Sequence, residues 1–173
     1  GQGLDMVFKN SALIKKQFKK VKLEIIGTGP DAKYYKQLAN SCHIPINFHG
    51  HLNDPEYSNI LKTFDVGIAI YSPESSNVSY YGDPAKVKLY LSLGIPVVVS
   101  DIFEFALDIQ KYGAGLIVDT KSGVNLIKSL DYIFRNYDQF SQRSRKLAKK
   151  YFYQRIYQRL FNFKHKNLLL RSN

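Results

Sequence analysis

Two short stretches hold the residue types best suited to chemistry. Tyr80-Tyr81-Gly82-Asp83-Pro84-Ala85-Lys86 leads into a helical apolar pattern. Pro84 suits the first turn of a helix, where free N–H groups and the helix dipole favour negative charge. Lys86 adds a full positive charge one turn in, so the arrangement fits a diphosphate. It also fits a capped surface helix with a solvated lysine. Gly27-Thr28-Gly29-Pro30 follows a strand-like run and precedes a helix, where glycines let backbone N–H groups approach an anion. That stretch lacks the third glycine of a dinucleotide fingerprint and the Gly-Lys-Ser/Thr of a P-loop. A plain tight turn is the simpler reading, and neither NAD binding nor ATP hydrolysis is supported. Cys42 is the only cysteine and reads as a small core hydrophobe. No Cys/His set has zinc spacing, so no metal is expected.

The elements that must hold these residues alternate between helical and extended patterns as far as about residue 119, which means α/β. A helix is predicted over 4–17, then a strand over 21–26 running into the glycine turn. Pro30 and Asp31 open a helix to about Asn40. A strand over 46–49 turns at Gly50, and Asp54, as N-cap, opens the next helix. Residues 65–70 are apolar on both faces, as in a central parallel strand covered by helices on each side. A polar loop over 71–83 is long for a plain connection and lies where function is often carried. Helix 84–94, strand 96–99, helix 103–111 and strand 114–118 complete a five-stranded doubly wound sheet. Two helices follow, over about 124–136 and 138–162.

Length and charge bound the rest. The 173 residues suit one domain, and 45% of them are hydrophobic in dispersed short blocks. A chain this long buries about 70% of its unfolded surface. No apolar run approaches the roughly 18 residues that cross a bilayer, and no signal-peptide pattern opens the chain. The expectation is a cytoplasmic protein. The net charge of +11 implies attraction to something anionic: nucleic acid, an acidic membrane face or a phosphorylated small molecule.

The stretch Pro84-Ala85-Lys86-Val87-Lys88-Leu89-Tyr90-Leu91-Ser92-Leu93-Gly94-Ile95-Pro96-Val97-Val98-Val99 resembles a Pro-x-Lys-x-x-Glu-Tyr-Leu-Ala-x-Gly-x-Pro-Val-Val pattern. That pattern belongs to the C-terminal, donor-binding domain of GT-B-fold glycosyltransferases, family 4 (glycosyl transferases group 1). Other segments agree in order. Leu23-Glu24-Ile25-Ile26-Gly27-Thr28-Gly29-Pro30 resembles the family's strand ending in Gly-x-Gly-Pro. Ile46-Asn47-Phe48-His49-Gly50 resembles its Phe-x-Gly strand, Phe64-Asp65-Val66-Gly67-Ile68 its Ala-Asp-Val strand, and Ala114-Gly115-Leu116-Ile117-Val118 its Gly-Leu-Leu-Val. Gly3-Leu4-Asp5-Met6-Val7 is similar to its opening helix. The likeness covers about residues 1–135.

The resemblance implies one half of a GT-B fold: a single Rossmann-like, nucleotide-sugar-binding domain over 1–173, with a helical extension from about 121. The N-terminal acceptor domain would be absent from this chain and would be its missing partner. The implied reaction is sugar transfer with retained configuration, from a nucleoside diphosphate sugar to a glycan, lipid-linked or cell-envelope acceptor, as in polysaccharide biosynthesis. Neither cofactor nor metal is implied, and this half alone would be inactive. The turn at Gly50, His51 and Leu52 would contact the base. Gly82, Asp83, Ala85 and Lys86 would cradle the diphosphate, with Asp83 capping the helix. The family's glutamate pair falls on Tyr81 and Leu89, neither a carboxylate, which leaves Tyr81, Tyr90 or Glu74 as partners for the ribose. No catalytic base is assigned. A non-catalytic accessory module of the same fold remains open, and a sugar-nucleotide epimerase would want carboxylates this crevice lacks.

The last predicted helix interleaves Lys146, Lys149, Lys150, Arg155 and Arg159 with Tyr151, Phe152, Tyr153, Tyr157 and Phe161. An aromatic core stripe with solvated lysines is the simplest reading. Contact with an anionic membrane, peripheral at the inner face, is the sharper one. Nucleic-acid binding is third, without a recognised motif.

Overall fold

Three consecutive valines, Val97, Val98 and Val99, are fully buried, and the fold is arranged about them. The computed structural model describes residues 3–71, 85–119 and 122–151. In chain order these form α1 (Leu4–Lys9), α2 (Ser11–Gln17), β1 (Leu23–Ile26), α3 (Ala32–Ala39), β2 (Ile46–Gly50), α4 (Asp54–Leu61) and β3 (Gly67–Ala69). They continue as α5 (Ala85–Leu93), β4 (Val97–Val99), α6 (Phe105–Tyr112), β5 (Gly115–Ile117), α7 (Gly123–Arg135) and α8 (Tyr137–Lys150). Every strand pairing is parallel.

Alternate side chains of the central strands feed two separate cores, which is what apolar character on both faces demands. Ala69, Val97 and Val99 pack with Val87 and Leu91 of α5, Ala106 and Ile109 of α6, and Leu147 of α8. Ile70 and Val98 join Met6, Val7, Ile14, Leu126 and Ile133 from α1, α2 and α7. Helices therefore cover both faces of β3-β4-β5, the doubly wound arrangement.

The strands differ from the expected single sheet in one respect. Hydrogen bonds group them as β1-β2 and as β3-β4-β5. The strand predicted over 65–70 begins only at Gly67, because residues 61–64 turn tightly, with Phe64 N–H donating to Leu61 C=O, and Asp65 stays exposed. A cavity of about 600 Å³ lies beside the resulting edges, lined by Leu23 and Ile25 of β1 and by Val66, Gly67 and Ile68.

Local chemistry moves two other boundaries. The first helix breaks at Asn10, whose Nδ2 donates to the Met6 carbonyl at 2.8 Å and competes with the helical ladder. Asn53, not Asp54, caps α4: its Oδ1 accepts from Glu56 N at 3.1 Å, and the Glu56 carboxylate accepts from Asn53 N. Helix α8 is described to Lys150 and the chain to Tyr151, so the rest of the predicted basic aromatic helix lies outside the described residues.

Helices α5 and α6 end alike. Gly94 N–H donates to Leu91 and Ile95 N–H to Tyr90; Gly113 and Ala114 repeat the pattern on Gln110 and Ile109. Both glycines are left-handed, at φ 79° and 63°. Each turn delivers the chain directly into the next strand. In Gly94→Ala the new methyl would sit 2.5 Å from Arg145 Cζ, a flexible side chain that can move. The expected cost is therefore about 1 kcal/mol, from the backbone conformation alone. Denaturant unfolding should show a lower midpoint with unchanged slope.

Candidate functional site

The C-terminal ends of β1 and β2 are tied together by backbone. Gly27 N–H donates to the Gly50 carbonyl at 2.7 Å. Gly27 has φ 118° and Gly50 φ 67°, conformations that glycine adopts without strain. A methyl on Gly27 or Gly29 would meet nothing within 4 Å, so the face of this turn is open. Beyond Gly50, His51 is exposed and Leu52 half-buried before the Asn53 cap. The two glycine turns read separately from sequence thus form one joined surface.

The second part of the site is the start of α5. Val87 and Leu91 fix this helix on the sheet, so Lys86 is carried to the end of β3. Its Nζ lies 4.9 Å from the centre of the Tyr71 ring. Tyr71 is buried, its N–H donating to Ser100 Oγ at 3.0 Å and its ring edge-on to Phe103. Burial lowers the Lys86 ammonium pKa and raises that of the Tyr71 phenol. The positive end of a helix dipole also disfavours a cation. An anion at this point would relieve both penalties. Ala85, exposed, offers its backbone N–H there.

Tyr90 lies one turn beyond Lys86 on α5. Its ring lies against Gly67, where any side chain would overlap it. Burial, with Tyr57 and Tyr71 nearby, pushes its phenol pKa to about 12. Tyr90 and Lys86 both line the cavity beside β1 and β3. Leu89 is half-buried. Tyr81, Gly82 and Asp83, with Glu74 and nearly all of the 71–83 loop, lie outside the described residues. Tyr71 and Ser100, which support Lys86, were missed in the sequence. The only signal was the position of Tyr71 directly after an apolar strand run.

A polar cluster crosses β1 and β2. The Glu24 carboxylate takes Lys22 Nζ at 2.8 Å, His49 Nε2 at 2.6 Å and Asn47 Nδ2 at 3.1 Å. Burial pushes the Glu24 carboxyl up, but those three partners outweigh it and hold the carboxyl below its ordinary value. Its stabilising contribution is therefore complete above the ordinary glutamate value of about 4.3 and is lost as pH falls through the lower folded value. Glu24→Gln should cost about 1 kcal/mol at pH 7, a cost that vanishes in strong acid. Unfolding midpoints at the two pH values check this.

Among the described residues no group of three His, Cys, Asp or Glu side chains could hold a metal ion, and no helix is long and apolar enough to cross a membrane.

Parallel strands wrapped on both faces by helices, with glycine turns and a helix start at their C-terminal ends, define a Rossmann-like domain. The glycosyl transferases group 1 family model matches residues 1–151, and the chain belongs to that family. No curated protein matches it. Among solved structures it is similar to AviGT4, a glycosyltransferase involved in avilamycin A biosynthesis, with a TM-score of 0.57 and 13% identity over 83% of this chain. The likeness is one of fold, that of a GT-B glycosyltransferase domain. The chain spans 44% of AviGT4's length.

Proposed function

We propose that this chain is the donor-binding half of a retaining glycosyltransferase that takes a sugar from a nucleoside diphosphate. The supporting observation is Lys86: a desolvated ammonium held over Tyr71 at a helix start, beside the ends of parallel strands. In doubly wound sheets ligands bind outside the carboxyl ends of the strands. The base would lie on the joined turn of Gly50, His51 and Leu52. The diphosphate would take the backbone N–H groups of Ala85 and Lys86 together with the Lys86 ammonium, with Gly82 and Asp83 leading into that helix.

In the reaction the anomeric carbon–oxygen bond to the diphosphate breaks and a bond to an acceptor hydroxyl oxygen forms. The hydroxyl proton leaves with the diphosphate. This half would act chiefly by stabilising the departing negative charge with groups already in place. The acceptor, a glycan, lipid-linked or cell-envelope hydroxyl, would be held by a further domain. The isolated half would then bind donor without turning it over. Neither metal nor organic cofactor takes part in this reading, and the reaction belongs on the cytoplasmic side of a membrane. The test is an NMR assay of sugar transfer by the two-domain enzyme with a chelator present. Product of the donor's own anomeric configuration supports the proposal; inverted product, or strict metal dependence, contradicts it.

A second reading rests on Leu89 and Tyr81, which stand where the family's carboxylates fall. An accessory module that keeps the fold would bind no sugar nucleotide even in the complete protein.

A further inference from the structure

Residues 9–22 carry Lys9, Lys15, Lys16, Lys19, Lys20 and Lys22 with no acidic residue. All but Lys15 are exposed. Lys15 Nζ donates to the Lys19 carbonyl, and Lys22 is paired with Glu24. Lys9, Lys16, Lys19 and Lys20 form no ion pair among the described residues.

This segment does not stand alone. Helices α2 and α7 run side by side in the same direction: the Asn10 side chain lies at Gly123, Gln17 Nε2 donates to Asp131 at 2.9 Å, and the Phe18 and Phe134 rings meet edge-on at 5.2 Å. Ile14 of α2 and Leu126, Leu130 and Ile133 of α7 are buried, which turns the other side of both helices outward. On α2 the outward row is Leu13, Lys16 and Gln17; on α7 it is Val124, Lys128, Tyr132 and Arg135. Leu13 is 47% exposed, Val124 54%, Tyr132 56% and Phe134 39%. Residues 9–22 and 123–135 together hold eight basic side chains and one carboxylate, Asp131. That carboxylate is already engaged by Arg135 at 2.7 Å.

We propose that the α2–α7 face docks on an anionic phospholipid membrane. Lysines answer the negative headgroups, while Leu13, Val124 and Tyr132 enter the boundary between headgroups and acyl chains. The apolar members decide between polyanions. Nucleic acid rewards lysine and stacked rings in a groove, whereas exposed Leu13 and Val124 gain nothing from a phosphate backbone. The inference stands on its own residues and does not depend on the donor site. It places membrane contact on a face other than the C-terminal helix.

The test is co-sedimentation of the whole chain with phosphatidylcholine vesicles, with and without one-third phosphatidylglycerol, at low and high salt. Binding should require phosphatidylglycerol and fall with salt. Each lysine at an anionic surface is worth roughly fivefold in partitioning, so Lys16→Glu/Lys19→Glu/Lys20→Glu should lose on the order of 100-fold or more. Leu13→Ser should weaken binding without altering its salt dependence, and Lys146→Glu/Lys149→Glu on α8 should bind far better than the α2 variant. Circular dichroism confirms folding of each variant. Sedimentation that ignores lipid charge, equal binding by the triple variant, loss confined to the α8 variant, or tighter binding to single-stranded RNA than to vesicles would each overturn it.

Discussion

Gly115→Ala should lower stability by about 3–5 kcal/mol, at the large end for a single substitution. Gly115 pairs with Val97 across β4 and β5. A methyl there would overlap the Val97 carbonyl oxygen and stand 2.8 Å from both Ile109 Cγ2 and Val97 Cγ2. The obstacle is the backbone of the fully buried strand β4, so it cannot swing aside as Arg145 can at Gly94. Relief requires β5 to move from β4, and that opens the core holding Val97, Val99 and Ile109. Domains are stable by only about 5–15 kcal/mol, so the variant should sit near unfolding at ordinary temperature. Denaturant titration by circular dichroism checks this. A midpoint within error of wild type would mean that the β4–β5 contact is looser than described.

The second large effect concerns binding rather than folding. Lys86→Ala should weaken nucleoside diphosphate binding by about 10–100-fold, the worth of one desolvated charge-assisted contact. Lys86→Met, which keeps the length of the side chain without its charge, should do the same while the chain stays folded, as thermal unfolding checks. A residue retained only for packing would show the opposite division. The pH dependence follows in sign. The ligand takes the protonated lysine, whose pKa in the free protein is below its ordinary value. Affinity should therefore fall as pH rises through that lowered value, and calorimetry over neutral to alkaline pH should show it. Lys86→Arg, always charged, should lose the alkaline fall even where geometry weakens its binding.

The legible parts of the molecule were those that local chemistry decides. Apolar character on both faces marked residues 65–70 as a covered central strand, Val97-Val98-Val99 read as a strand, and Gly94 marked a helix end, where the left-handed cap needs glycine. The start of α5 and the turn at Gly50 were equally readable. What escaped depends on tertiary contacts. Asn10 breaks the first helix through a side-chain bond that propensity does not show. The separation of β1 from β3 depends on where the 61–64 turn releases the chain. The support of Tyr71 by Ser100 crosses from one strand end to the next and has no local signature.

The central claim is that the strand ends bearing Gly50, His51 and Leu52, with the start of α5, form a nucleoside diphosphate site. It is tested most directly by titrating UDP, GDP, UDP-sugars and a GDP-sugar into the full-length protein by calorimetry, with Lys86→Ala alongside. Saturable one-to-one binding of nucleotides carrying one base, weakened in Lys86→Ala, is the predicted result. Binding of none of these ligands, or binding that Lys86→Ala leaves untouched, would contradict it.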